Sequence, residues 1–339
     1  EEAAICSRIP KLFELARGEA STRGAAVNSL RRIVETQRDF LAAQDPDILK
    51  GSYVCYQGGR IDEERSYARP AVLGMELTEA TLTQHLQRRF PGCRVEKFSV
   101  MAGDFSKTTV FFTLVQANGE RDAFVIRKDL PVEFNSSVAY EFPLLQKLYK
   151  AGFTVAEPVW IEDDAVPFGG CFMVSRRVGG STDFSRWAGD SAAVDNFARQ
   201  LAKTMADLHA MNLDQLGYAP ELSSKSAGEL TRIEIERWRK VFENSRSEVQ
   251  PLIELSLAWL EANIPTAAYA RPASLIHGDI GFHNMMIDDG KVSALLDWEF
   301  SHLGDPVEEL IYTKPFIEKV MDWETFKAYY REYGGSACT

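Results

Sequence analysis

Between Leu275 and Glu299 the chain sets out an acid, an amide and a second acid in a fixed order. The acid is Asp279, on the glycine-flanked loop of Leu275-Ile276-His277-Gly278-Asp279-Ile280-Gly281-Phe282-His283-Asn284. The amide, Asn284, follows five residues later, and the second acid, Asp297, closes Leu295-Leu296-Asp297-Trp298-Glu299. Two short apolar runs lie between them, Met285–Ile287 and Val292–Leu296, joined by Asp288-Asp289-Gly290. An Asp-Gly step between such runs predicts a tight hairpin. The hairpin would bring Asn284, which opens one strand, beside Asp297, which ends the other. An amide oxygen and a carboxylate at one point are ligands of the kind magnesium takes. An acid on the preceding loop is free to orient an incoming hydroxyl, and together these are the parts that phosphoryl transfer from a metal-bound nucleotide needs. No single residue carries this reading, since an Asp after Gly is most often a turn residue. His277 is read as a support of the loop rather than a proton carrier. Gly278 and Gly281 are read as supplying backbone angles that other residues resist, and Asp305 as bracing the loop ahead of capping the next helix. His209 ends a core-facing helix and reads as structural.

The remainder of the chain divides into three stretches. Residues 1–76 read as an appendage and linker, with short amphipathic helices around Ile9–Leu15 and Val27–Leu41 and a loop through Gly58-Gly59. No catalytic pattern appears there, and packing or homo-oligomerisation is its expected use. Residues 77–175 begin with a helix that Thr78 caps and that runs to Arg89. Strands Val95–Met101, Thr108–Gln116 and Asp122–Arg127 follow, with Asn118-Gly119 as a hairpin turn between the last two. A helix over 136–150, interrupted at Pro143, and a strand Cys171–Val174 complete a small antiparallel sheet with one inserted helix. Residues 176–339 are mainly helical, with helices at Ala192–Met211, Leu230–Asn244, Val249–Ala262, Pro306–Leu310 and Trp323–Tyr333.

A chain of 339 residues is long enough for two packed lobes. Its net charge of −11 argues against a nucleic-acid or anionic-membrane partner. No apolar run is long enough to span a bilayer, and Glu1–Ile5 lacks the basic and apolar regions of a secretory leader. The absent initial Met leaves an earlier segment expected. Five scattered cysteines without a C-x-x-C pair fit free thiols in a reducing cytosol, which sets a cytoplasmic expectation.

Over residues 77–335 the motifs resemble the aminoglycoside phosphotransferase and choline kinase superfamily of protein-kinase-like small-molecule kinases. The branch most resembled is the kinase-like domain of certain acyl-CoA dehydrogenases. The residues that carry this are Leu-Ile-His277-Gly-Asp279, His283-Asn284, Leu-Asp297-Trp298-Glu299, Gly304-Asp305-Pro306, Ala206-Asp207-Leu208-His209 and Trp238. The resemblance implies an α+β, bilobal fold with ATP between a small sheet lobe and a larger helical lobe. It implies Asp279 as the catalytic or orienting acid, and Asn284 and Asp297 as Mg2+ ligands. Arg127 of Phe124-Val125-Ile126-Arg127 would grip the nucleotide phosphates, with Glu141 paired to it. Met101–Lys107 would be the phosphate-covering turn, with Gly103 and Ser106 as donors and Asp104 standing where this branch has glycine. Phe172–Arg176, including Met173 and Ser175, would be the lobe connection whose backbone meets adenine. Further helices after a segment like Tyr329–Gly335 are usual in relatives, so the acceptor pocket is expected to be incomplete. No Walker-type or Rossmann glycine pattern is present. The expected activity is transfer of the γ-phosphate to a small-molecule hydroxyl, with a hydroxyacyl-CoA or another metabolic alcohol ranked above an aminoglycoside or macrolide antibiotic. A silent nucleotide-binding scaffold and a metal-dependent hydrolase using His277, Asp279 and His283 remain as alternatives.

Overall fold

The computed structural model describes residues 75–101, 107–130, 137–163, 167–245 and 250–337. The expected N-terminal helices, and Gly103, Asp104 and Ser106 of the phosphate-covering turn, lie outside the described residues. The chain divides into two compact units, Glu1–Pro70 with Val249–Ile253, and Ala71–Glu248 with Glu254–Thr339. All that follows concerns the second.

Helix α1 (Glu79–Leu86) starts where Thr78 accepts from the Thr81 N–H and the Thr81 hydroxyl returns a bond to the Thr78 backbone. It ends at Leu86 rather than Arg89. Strands β1 (Arg94–Val100), β2 (Lys107–Val115) and β3 (Arg121–Asp129) follow, then helix α2 (Val138–Lys150) and strands β4 (Pro158–Glu162) and β5 (Phe172–Arg176). They form one antiparallel sheet in the order β1-β2-β3-β5-β4. Gly119, at φ +86°, makes the β2–β3 turn. Alternation sorts the two faces. Val110, Phe112, Leu114, Phe124, Ile126 and Val174 pack with Leu82 and Leu86 of α1 on one face. Lys107, Thr109, Arg127, Asp129 and Met173 share the other, because Lys107 pairs in register with Asp129, and Thr109 and Met173 both pair with Arg127.

Pro143 does not interrupt α2. Proline removes one N–H and the bond to the carbonyl four residues back. The helix tolerates this because its first turn is fixed from outside. Asp129 at the end of β3 accepts from the Val138 N–H at 3.0 Å and from the Ser137 hydroxyl at 2.6 Å. Phe142, Leu145 and Leu148 then anchor its apolar face in the main core.

After β5 come helices α3 (Ser191–His209), α4 (Ala227–Ser245) and α5 (Pro251–Ala262). Next are strand β6 (Ser274–Ile276), the hairpin β7 (Met285–Asp288) with β8 (Lys291–Leu295), and strand β9 (His302–Gly304) paired to β6. Helices α6 (Pro306–Ile317) and α7 (Trp323–Glu332) finish the order. The helix at Pro306 runs on through Pro315, beyond the expected end at Leu310. Phe197, Leu201, Met205 and Leu208 of α3 are buried at helical spacing, and Phe326, Tyr329 and Tyr330 of α7 join the same core. The β7–β8 turn has Asp289 at φ +46° and Gly290 at φ +73°, both left-handed. Asn196 and Gln200 of α3 donate to the Gly290 carbonyl at 2.9 and 2.6 Å, which docks the hairpin.

Candidate active site

The loop between β6 and β7 is held from beneath by a buried acid. Glu309 on α6 is fully buried. Its Oε1 accepts from the backbone N–H groups of His277 and Gly278, and its Oε2 accepts from His209 Nε2 at 2.7 Å. Burial opposes ionisation of Glu309, but the His209 bond and charge, with the nearby His277 and the Gly278 N–H, hold its carboxyl below the usual range. His209 completes the chain through Nδ1 to the Tyr330 hydroxyl, 2.8 Å away. The loop brace is therefore Glu309 and not Asp305. Both oxygens of Asp305 are used elsewhere: one accepts from Val307 N at 3.0 Å and so caps α6, and the other accepts from Arg271 at 2.6 Å. Gly278 sits at φ +85°, and a Cβ there would lie 2.5 Å from the Phe300 carbonyl oxygen, so only glycine fits. Gly281 is not a backbone-angle requirement. It is extended at φ −174°, and its constraint is the His283 ring, 2.7 Å from where a Cβ would stand.

His277 is buried, and both ring nitrogens are committed. Nδ1 accepts from the Asp279 N–H at 3.2 Å, and Nε2 donates to the Leu296 carbonyl at 2.8 Å. Burial pushes its pKa down despite the neighbouring carboxylates, so it stays neutral in that tautomer. Asn284 donates through Nδ2 to the Asp279 carbonyl at 2.9 Å and to Asp279 Oδ2 at 3.0 Å, while its main-chain carbonyl accepts from Leu296 N at 2.8 Å. These bonds gather Asp279, Asn284 and the end of β8 around one point. Asp297, next along, is at φ +66°, a left-handed conformation unusual for a residue with a side chain and typical of strain kept at functional sites.

Asp279 Oδ1 accepts from His283 Nε2 at 3.2 Å and from the Tyr312 hydroxyl. Burial works against its ionisation, yet the bonds from His283, Tyr312 and Asn284 outweigh it and hold the carboxyl below the ordinary range. Asp279 is thus a carboxylate at neutral pH.

From the sheet, Arg127 reaches Asp297 Oδ1 at 2.8 Å. Glu141, the expected partner of Arg127, feels the Arg127 charge and also forms an ion pair with Lys107 at 3.9 Å. Lys107 is buried, and its ammonium also faces Asp129 at 3.4 Å and Glu299 at 3.7 Å. Burial pushes the Glu141 carboxyl up to about 7, with the charges of Arg127 and Lys107 pulling the other way. Reading by family position missed Lys107 in this role. The signal was strand alternation, which puts Lys107 on the face of Arg127, where a long cation has no route to bulk water. Four carboxylates (Asp129, Glu141, Asp297, Glu299) face two cations here, an acidic excess suited to a divalent ion. Among the described residues no group of three or more His, Cys, Asp or Glu side chains is disposed to hold a metal by itself.

Met173 and Ser175 do not lie in a lobe connection. They are inside β5, paired on one side with Arg127 and Val125 and bordered on the other by β4. The ladder uses the strand's backbone, and the link to α3 begins after Arg176.

A five-stranded antiparallel sheet with one inserted helix, followed by a mainly helical portion, is the bilobal kinase-like phosphotransferase fold. Residues 97–335 match the model of the phosphotransferase enzyme family, and the chain belongs to that family. It is 28% identical over 202 residues to acyl-CoA dehydrogenase family member 11 of Mus musculus, a match covering 57% of this chain and 25% of the relative. The chain thus spans about a quarter of the length of that relative. Among solved structures, a thermostable mutant of aminoglycoside phosphotransferase APH(4)-Ia in ternary complex with AMP-PNP and hygromycin B superposes with a TM-score of 0.53 at 17% identity, covering 76% of this chain and 84% of that one. The macrolide 2'-phosphotransferase MphH from Brachybacterium faecium gives 0.50 at 20% identity, covering 76% and 84%. At these identities the likeness is one of fold.

Proposed function

We propose that this chain is an ATP- and Mg2+-dependent kinase that transfers the γ-phosphoryl group to a hydroxyl of a small molecule. The observation that carries the reading is the tie of Asn284 to Asp279 through Nδ2 and to the end of β8 through the Leu296 N–H, one residue before Asp297. Asn284 and Asp297 are the residues that would hold magnesium: the Asn284 nitrogen is spent on Asp279, which leaves its oxygen for a cation. A bound magnesium ion supplies charge neutralisation for the phosphates. Asp279, ionised, orients the acceptor hydroxyl and takes its proton late, as a loose transition state allows. Arg127, already beside Asp297, is the cation nearest the place where phosphates would sit. Lys107 holds Glu141 and Glu299 and keeps the Asp297–Glu299 segment against the sheet.

The acceptor ranking rests on the relative named above and favours a hydroxyacyl-CoA or another metabolic alcohol over an antibiotic. A hydrolase built on His277, Asp279 and His283 is disfavoured, because both nitrogens of His277 are engaged in hydrogen bonds. The test is a mass-spectrometric screen of pooled hydroxylated metabolites and antibiotics with ATP and Mg2+. Gain of one phosphoryl group on an alcohol, reduced by about 10²–10⁴-fold in Asp279→Asn, supports the kinase. Product formation unchanged in that variant contradicts it.

A further inference from the structure

The Tyr312 hydroxyl donates to Asp279 Oδ1, the one carboxylate oxygen not bound by Asn284. An acceptor alcohol would have to make this same O–H to carboxylate bond. Two α6 residues that hydrogen-bond to the backbone of the loop differ from Tyr312 in kind. Glu309 and Thr313 are fully buried, and Thr313 fixes the helix by donating to the Ile280 carbonyl at 3.0 Å. Tyr312, between them in sequence, is 38% exposed. Asp279 does not need the phenol to be oriented, since Asn284 holds its carbonyl and Oδ2, and His277 holds its N–H. The Tyr312 ring lies against Phe316, one turn further along α6, with centroids 5.9 Å apart, and Phe316 lies 5.6 Å from His283. This aromatic wall borders the exposed side of Asp279.

We propose that Tyr312 is a specificity-determining placeholder: its phenol occupies the acceptor-hydroxyl position on Asp279, keeps water from that position, and is displaced by the cognate alcohol. The proposal rests on the kinase reading above. Without an acceptor, a water oxygen that reached Asp279 would bond to the γ-phosphorus. The bond from that phosphorus to the bridging oxygen would break, ADP would leave with the electron pair, and the water proton would pass to Asp279. The phenol blocks this loss by holding the oxygen that must take the proton. An acceptor enters by exchanging one O–H donor for another, so the displacement costs little in hydrogen bonding.

Tyr312→Phe keeps the ring and removes the donor. With ATP and Mg2+ and no alcohol, ADP release should rise about tenfold over wild type, the scale of one charge-assisted hydrogen bond lost from the resting state. That release should vanish in Tyr312→Phe combined with Asp279→Asn. For an alcohol found by the screen, KM should fall in Tyr312→Phe while kcat holds. ADP release equal to or below wild type, or a fall in kcat at unchanged KM, overturns the placeholder and makes Tyr312 a support of Asp279; stabilisation by Mg2+ and ATP would then leave the kinase reading standing. Absence of both ADP release and nucleotide stabilisation in every form overturns the kinase reading and the placeholder with it.

Discussion

At the scale of single residues, the site depends on ionisable groups held away from their ordinary states. Glu141 is the clearest case. Its ordinary value of 4.5 becomes about 7 in the fold, chiefly through burial. The folded chain therefore binds this proton more tightly than the unfolded chain does. Between about pH 4.5 and 7 the native state carries more protons, so stability contributed by this group is present at the acidic end and lost as pH rises through that window. Glu141→Gln should flatten this slope, as read from denaturant midpoints across the window; an unchanged slope would mean that Glu141 does not titrate there. Lys107 belongs to the same balance. A lysine among three acids is close to charge-satisfied, whereas Glu141 Oε1 has no hydrogen-bond partner and is held by charge alone. The Lys107 contact was not legible from the motif, because it is fixed by sheet register and not by spacing along the chain.

At the scale of elements, the loop carrying Asp279 is as rigid as the helix beneath it. Glu309 satisfies two loop N–H groups and His209 together, in a place with no water to replace it. Glu309→Ala leaves three buried polar groups without their acceptor, and the expected loss is roughly 3–5 kcal/mol in denaturant unfolding. A loss under about 1 kcal/mol would show that the brace lies elsewhere. Strands β1, β2, β3, β5, β7 and β8, the β7–β8 turn, the cap at Thr78 and the α3 periodicity were readable because each is a local signal. Strand β4, the passage of α2 through Pro143 and the extension of α6 to Ile317 were not, because tertiary anchors decide them. Asp129 fixes the first turn of α2, and Thr313 and Ile317 bury the end of α6. The exchange of Asp305 for Glu309 has the same origin: both acids lie within one short stretch, and only the fold shows which faces the loop.

At the scale of the whole unit, two ion pairs tie the small sheet to the segment that follows β8: Arg127 with Asp297 at 2.8 Å, and Lys107 with Glu299 at 3.7 Å. The cations come from adjacent strands, and the acids are two residues apart, so sheet and segment are registered like neighbouring rungs. Asp297 is thereby held against the sheet, one residue beyond the Leu296 N–H that bonds to Asn284, before any nucleotide arrives. The thermal stability of the protein with ATP, with and without Mg2+, in wild type and Asp297→Ala tests this preorganisation. The expected result is a rise of about 5 °C at roughly a hundred times the dissociation constant, dependent on Mg2+ and absent in Asp297→Ala. A shift of the same size without Mg2+, or one that Asp297→Ala leaves intact, would contradict it.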